Sequence, residues 1–190
     1  PTESIKNWEF EGDNPDLFAV VDNAKPTILI GCSAVTGAFT EKVIKAMASH
    51  VEHPIILPLS NPTSRAEAHP ANLFEWTNGK ALVATGSPFA PVEFNGKKIR
   101  ISQSNNAFIF PGLGLGVVAC RPKILTDEII WAASLALSEC SPALEDETAP
   151  LLPDLNAVQE VSNRVAIAVI NEARKQKLAT FQNDMTPEEA

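Results

Sequence analysis

Three apolar runs, Thr27-Ile-Leu-Ile-Gly31, Pro54-Ile-Ile-Leu-Pro-Leu59 and Ala81-Leu-Val-Ala-Thr85, begin at positions 27, 54 and 81 of this 190-residue chain. Each is continuous rather than alternating, the pattern of a strand covered on both faces. Helical spacing fills the intervals. Phe39, Val43, Ala46 and Met47 recur along Ala38–His50, and Leu73, Phe74 and Trp76 along Pro70–Thr77. Strand, helix, strand, helix, strand predicts a parallel α/β sheet with right-handed crossovers.

The strand ends carry the functional information. The first run leads into Gly31-Cys32-Ser33, the second into Ser60-Asn61-Pro62-Thr63 and the third into Gly86-Ser87-Pro88. In an open parallel sheet, ligands bind in the crevice beyond the carboxyl ends of the strands. These residue types are also ordinary turn formers. Two readings therefore stand together: a ligand crevice, or three well-made turns.

Beyond the third run, Glu93-Phe-Asn-Gly-Lys97 holds an Asn-Gly turn signal, so residues Val92–Ile101 are expected to form a β-ribbon. The run Gly112-Leu-Gly-Leu-Gly116 suggests a phosphate-cradling loop, but its glycines are spaced G-x-G-x-G and no turn residue precedes them. The dinucleotide fingerprint needs G-x-G-x-x-G between a strand and a helix. A packing helix in which small residues allow close backbone approach fits better. Thr126-Asp127-Glu128 reads as an N-cap with acids in the first turn of a helix reaching about Glu139. Residues Ser141–Pro153 form an acidic, proline-rich loop. A last helix is expected from about Leu155, with Leu155, Val158, Val161, Val165 and Val169 on one face and Glu160, Arg164 and Glu172 off it. Residues Gln182–Ala190 are polar and expected to fray.

Charge and cysteines narrow the function classes. A net charge of −8 argues against nucleic acid, which needs a basic face. The longest apolar run, Ala107–Cys120, is shorter than the ~20 residues of a membrane span, and Pro111 interrupts it. Cys32, Cys120 and Cys140 form no C-x-x-C pair, which suits a reduced cytoplasmic protein. His50, His53 and His69 stand at no ligand-like spacing to them, and His50 and His53, flanking the second strand, are expected to be exposed. No Ser or Cys has a base placed for nucleophilic catalysis, and Glu145-Asp-Glu147 reads as a solvated run. Asn61, Asn105 and Asn106 remain. An amide offers a donor and an acceptor without charge, which suits orienting a carboxamide, hydroxyl or carboxylate. The alternative for Asn105 or Asn106 is a helix cap. The chain has no Tyr and opens at Pro1 without Met, so we expect a piece of a longer protein.

Four motifs in order, Gly31-Cys-Ser-Ala-Val-Thr-Gly-Ala-Phe-Thr-Glu41, Pro54-Ile-Ile-Leu-Pro-Leu-Ser-Asn-Pro-Thr-Ser64, Ala84-Thr-Gly-Ser-Pro-Phe89 and Asn105-Asn-Ala-Phe-Ile-Phe-Pro-Gly-Leu-Gly-Leu-Gly-Val117, resemble malic enzymes, and among them the bacterial NAD-dependent, decarboxylating type. The likeness runs from about Pro26 to Lys177. It implies the second half of a Rossmann-type NAD-binding domain, a parallel sheet with flanking helices, plus C-terminal helices. The implied division is a lead-in at 1–25, a partial NAD-binding domain at 26–125, a helical segment at 126–180 and a tail at 181–190.

By resemblance, Asn61, Gly31, Cys32, Ser33 and Asn106 are expected to contact NAD, and Asn61, Asn105 and Asn106 to line the malate pocket. Cys32 and Ala34 stand where Val and Gly are more usual in the family. The implied reaction is oxidative decarboxylation of (S)-malate to pyruvate and CO2. The Tyr acid, the Lys base, the phosphate loop and the ligands of a divalent metal (Mg or Mn) would lie upstream. Catalytic residues are therefore expected to be absent here, and this segment alone to be inactive. The family also implies a homo-oligomer, dimer or tetramer. Rivals are malolactic chemistry, which releases lactate, and a non-catalytic binding or association module; the Gly86-Ser-Pro-Phe89 run favours the malic type.

Overall fold

The computed structural model describes residues 5–146 and 149–181. They divide into two compact units, Pro1–Ser104 and Asn105–Ala190. The boundary at residue 125 drawn from sequence falls inside the second unit. Residues 182–190, expected to fray, lie outside the described residues, as does Glu147 of the acidic run.

The first unit opens with α1 (Leu17–Ala24), in the stretch read from sequence as a lead-in. Asp16 caps it by accepting the Ala19 N–H at 2.7 Å. There follow β1 (Ile28–Gly31), α2 (Glu41–Ala48), β2 (Ile55–Pro58), α3 (Pro70–Trp76) and β3 (Leu82–Thr85). Next come β4 (Val92–Phe94), β5 (Lys97–Ile99) and the two-residue β6 (Ser102–Gln103). The main sheet has the order β1-β2-β3-β6 with every pair parallel, and β4 and β5 form a separate antiparallel ribbon. Asn95 and Gly96, at φ +50° and +73°, make the ribbon's turn. Both positive values are what the tight hairpin turn requires.

Register explains why the strand mouths align. Ile28 pairs with Ile55 and Ile55 with Leu82, so each strand is offset from the next by 27 positions (55 − 28 and 82 − 55). The 27-residue sequence period is the pairing register. Capping side chains fix where the two intervening helices begin: α2 starts at Glu41, inside the span its apolar spacing suggests, and α3 at Pro70 as expected. Thr40 accepts the Val43 N–H at the start of α2, and the His69 ring accepts the Ala71 N–H at the start of α3. Val43, Ile44, Met47, Ile56, Leu73 and Phe74 form the core between sheet and helices. One expectation fails at β1. It lies at the sheet edge with Ile28 and Ile30 49% and 58% exposed, so one face is open among the described residues. His50 also departs from expectation: it is half-buried, and among the described residues its enclosed Nε2 has no hydrogen-bond partner.

The second unit holds α4 (Phe110–Cys120), α5 (Asp127–Ser138) and α6 (Val158–Lys175). The glycine run is inside α4 and is helical. A Cβ on Gly112 would lie 2.6 Å from the Ser162 carbonyl oxygen and 2.7 Å from Val165 Cβ; on Gly116 it would lie 2.7 Å from Val169 Cβ. Gly114 faces open space. The glycines at 112 and 116 are thus a one-turn-spaced groove that receives α6. Val161, Val165 and Val169 of α6 are buried as its spacing predicts, each contributing roughly 1.5–3 kcal/mol. Thr126 caps α5 by accepting the Ile129 N–H at 3.3 Å. Leu155, expected on the same face as Val161, Val165 and Val169, is not part of α6: a short 3-10 turn, Leu155–Ala157, precedes that helix and leaves Leu155 exposed. Among the described residues no helix is long and apolar enough to cross a membrane.

Candidate functional site

The carboxyl ends of β1 and β2 are built around a residue that sequence reasoning passed over. Glu67 lies between a 3-10 turn (Thr63–Arg65) and α3, and is fully buried. Its Oε1 accepts the Ser33 N–H at 2.8 Å, the Ser33 hydroxyl at 3.0 Å and the Ser60 hydroxyl in a short hydrogen bond. Its Oε2 accepts the Ser60 N–H at 3.4 Å. The carboxyl lies against Gly31, where a Cβ would stand 2.6 Å from Glu67 Cδ, so any other residue at the end of β1 would have to displace the carboxyl. Burial pushes the carboxyl pKa up, but the hydrogen bonds from Ser60, from its own backbone and from Ser33 outweigh it, leaving the group below the ordinary glutamate value.

Around this centre, the two loops are laced together by backbone and side chain. Ser60 Oγ accepts the Ala34 N–H at 2.8 Å, and Ser33 Oγ accepts the Val35 N–H at 3.2 Å. The Thr36 hydroxyl donates to the Ser64 carbonyl at 2.7 Å, and the Phe39 N–H to the Glu67 carbonyl at 3.0 Å. Ala34 takes φ +55°, the left-handed region that L-residues enter at a cost.

The third mouth ties to the second. Ser87, 1% exposed, donates its hydroxyl to Asn61 Oδ1 at 2.8 Å, while the Thr85 hydroxyl donates to the Ser87 carbonyl at 2.8 Å. Asn61 itself is exposed, and the peptide bond to Pro62 is cis. Among the described residues its amide is thus held through the oxygen, with both N–H donors left over. Gly31, Cys32, Ser33 and Asn61 therefore share one edge of the sheet. Gly31 is buried there, and Cys32 and Ser33 are exposed.

Asn105 and Asn106 belong to the second unit. Asn105 Oδ1 accepts the Ala107 N–H at 2.9 Å and caps the 3-10 turn Asn106–Phe108. Asn106 is exposed. The structure thus separates the pair, one side chain spent on a cap and its neighbour open to solvent.

The exposed Asn61 amide at the carboxyl edge of a parallel sheet is an uncharged hydrogen-bonding group of the kind that can orient a carboxamide, hydroxyl or carboxylate. Among the described residues no group of three or more His, Cys, Asp or Glu stands together as a metal cage. Burial pushes the Cys120 and Cys140 thiols up. Neither has the lowered pKa of a reactive cysteine.

Ser60 and Ser87 stand in the strand-end turns that the sequence pointed to, but Glu67 gave no sequence signal. A lone acid in a polar loop reads as solvated, and its burial is visible only once the loops of β1 and β2 are adjacent.

The family described as "Malic enzyme, NAD binding domain" matches residues 1–174. The NAD-dependent malic enzyme of Shewanella denitrificans is 53% identical over 176 residues, covering 93% of this chain and 31% of that protein. That of Proteus mirabilis is 50% identical over 189 residues, covering 100% of this chain and 34% of that protein. Among solved structures, the Entamoeba histolytica malic enzyme superposes with a TM-score of 0.71 at 26% identity, over 93% of this chain and 32% of that one. The Pyrococcus horikoshii malic enzyme gives 0.66 at 27% identity, over 92% and 35%. The chain spans about a third of the length of the curated relatives it matches. A parallel sheet with flanking helices and C-terminal helices is the fold it shares with them, and the chain belongs to the malic enzyme family.

Proposed function

We propose that this chain is the NAD-binding portion of a malic enzyme that oxidatively decarboxylates (S)-malate to pyruvate and CO2. NAD+, when bound, supplies the hydride acceptor for C2 of malate. The observation that carries the reading is Asn61. Its exposed amide is fixed by buried Ser87 at a strand mouth, in a chain half identical to proteins named NAD-dependent malic enzymes.

This chain's part is orientation. With its oxygen held by Ser87, Asn61 offers N–H donors to carboxamide or carboxylate oxygens, holding C2–H toward the acceptor face. Asn105 and Asn106 of the second unit are assigned to the malate pocket on the family resemblance alone, Asn105 with its side-chain oxygen on a cap and Asn106 with its amide exposed. Gly31, Cys32 and Ser33 form the wall of the crevice along which the cofactor lies. Acid, base and the ligands of a divalent Mg or Mn come from elsewhere in the protein. We further assign the enzyme to the cytoplasm, as its free thiols suit. We assign it to a homo-oligomer, and its cofactor-binding part to residues 26–125.

The test uses the full-length protein with (S)-malate, NAD+ and Mn2+, following NADH absorbance and assaying pyruvate and lactate together. Stoichiometric NADH and pyruvate are expected, with Asn61→Ala lowering kcat by about tenfold or more, the scale of a lost orienting contact. Lactate without net NADH would overturn the reading in favour of malolactic chemistry, and neither product in favour of a binding module.

A further inference from the structure

The turn that follows β1 contains three consecutive backbone N–H groups, of Ser33, Ala34 and Val35, each taken by an oxygen of one local network. Consecutive N–H groups in such a turn make a concavity suited to an anion. Here the anion is internal. The Ser33 N–H goes directly to Glu67 Oε1, at 2.8 Å. The Ala34 N–H goes to Ser60 Oγ and the Val35 N–H to Ser33 Oγ, and both of those hydroxyls donate onward to the same Oε1.

We propose that Glu67 is a positioning residue: a built-in carboxylate that occupies the anion nest after β1 and thereby presets the β1 and β2 mouths for NAD. Three features support it. Apart from its own backbone, the donors around the carboxyl among the described residues come from the two mouths, from Ser33 and Ser60. Ser60 is the immediate neighbour of Asn61, so the carboxyl fixes the backbone from which that amide projects. Left-handed Ala34 is held in place by the relay through Ser60, which offsets the local strain. With its backbone donors filled, this turn is not a phosphate site. It meets the cofactor through the exposed Cys32 and Ser33 side chains.

The inference rests on the assignment of this edge to NAD, and the experiment separates the two. In the full-length protein, NAD+ affinity is measured by calorimetry for the wild type, Glu67→Gln and Glu67→Ala, each checked for thermal unfolding. Amide exchange of Ser33 and Ala34 is read alongside. Glu67→Gln is expected to fold and to bind NAD+ about tenfold more weakly, the factor one charge-assisted hydrogen bond carries. Exchange at Ser33 and Ala34 should be faster. Formate should restore affinity to Glu67→Ala by refilling the nest, and should leave Asn61→Ala unchanged; a purely structural role predicts no such rescue. If the Glu67 variants do not fold, Ser60→Ala, which keeps the charge but breaks the relay to Ala34, is expected to show the same weakening. Unaltered NAD+ affinity in a folded variant, or no response to formate, overturns the proposal. If the wild type does not bind NAD+, the cofactor assignment falls. The exchange rates then still decide the carboxylate's role, with unchanged rates overturning it.

Discussion

Replacing the three α4 glycines one at a time by Ala separates packing from helix propensity. Each substitution gains about 1 kcal/mol of propensity, since Gly is that much poorer than Ala in a helix interior. Only two of them meet resistance. At Gly116 the new Cβ would sit 2.7 Å from both Cβ and Cγ1 of Val169 and 2.9 Å from the Ala166 carbonyl oxygen. Carbon atoms in contact want about 3.5–4.0 Å, so α4 must lift from α6 by about 1 Å. Gly112 faces the same demand, including a backbone oxygen that cannot rotate away. Overpacking of this kind costs about 1–3 kcal/mol. Because propensity cancels between sites of one helix, Gly116→Ala should be less stable than Gly114→Ala by that strain alone. With a urea dependence of about 2 kcal/mol per molar, the midpoints should differ by about 1 M. Urea unfolding followed by circular dichroism measures it. Equal midpoints for Gly114→Ala and Gly116→Ala would refute the claim that these glycines serve the α4–α6 contact.

Three further outcomes follow from the first unit. The Glu67 carboxyl is held below its ordinary value of 4.5, so its stabilisation is complete at neutral pH and is lost as pH falls below about 4.5 and through the lowered value. The stability gap between wild type and Glu67→Gln should therefore narrow in acid, and a gap constant from pH 7 to 3 would count against it. Ala34→Gly relieves a left-handed alanine at φ +55° and should raise stability by about 1 kcal/mol, read as a higher melting temperature; a lower one would contradict the strain. The open edge of β1 with exposed Ile28 and Ile30 should make the isolated chain self-associate, and Ile30→Lys should suppress this in light scattering. A monodisperse wild-type monomer would remove the argument.

What was legible in the sequence was what repeats or is local. The strand offset could be read because continuous apolar runs recur at the spacing of their pairing partners, and Asn95-Gly96 and Thr126 announce themselves by short-range chemistry. That the glycine run is a packing helix followed from its spacing and the absence of a turn before it, but that Gly112 and Gly116 rather than Gly114 make the contact did not. By contrast, β6 is Ser102-Gln103, too short and too polar to show, and it forms only because β3 offers it an edge. The exposure of β1 was hidden because apolar character does not tell whether a neighbouring layer exists. Glu67 was the largest omission. Its Ser33 partner is 34 positions away, and a carboxylate's burial depends on donors that no local pattern reveals. Asn105 showed the opposite difficulty: the amide that caps and the amide left open are adjacent and chemically identical, and only backbone geometry tells them apart.

The constant offset also bears on the order in which the sheet assembles. Closing β1 onto β2 and β2 onto β3 each loops the chain by 27 positions (Ile28 to Ile55, Ile55 to Leu82). Loop-closure entropy depends only on the logarithm of that length, so neither pairing starts with an advantage. Side-chain burial must break the tie, and Ile56 of β2, with no exposed surface, takes part in whichever closure comes first. We therefore expect β2 to be the kinetic centre of the first unit, with folding rates more sensitive to Ile56→Val than to Val83→Ala, relative to the stability each removes. Equal or reversed sensitivities would place the nucleus elsewhere.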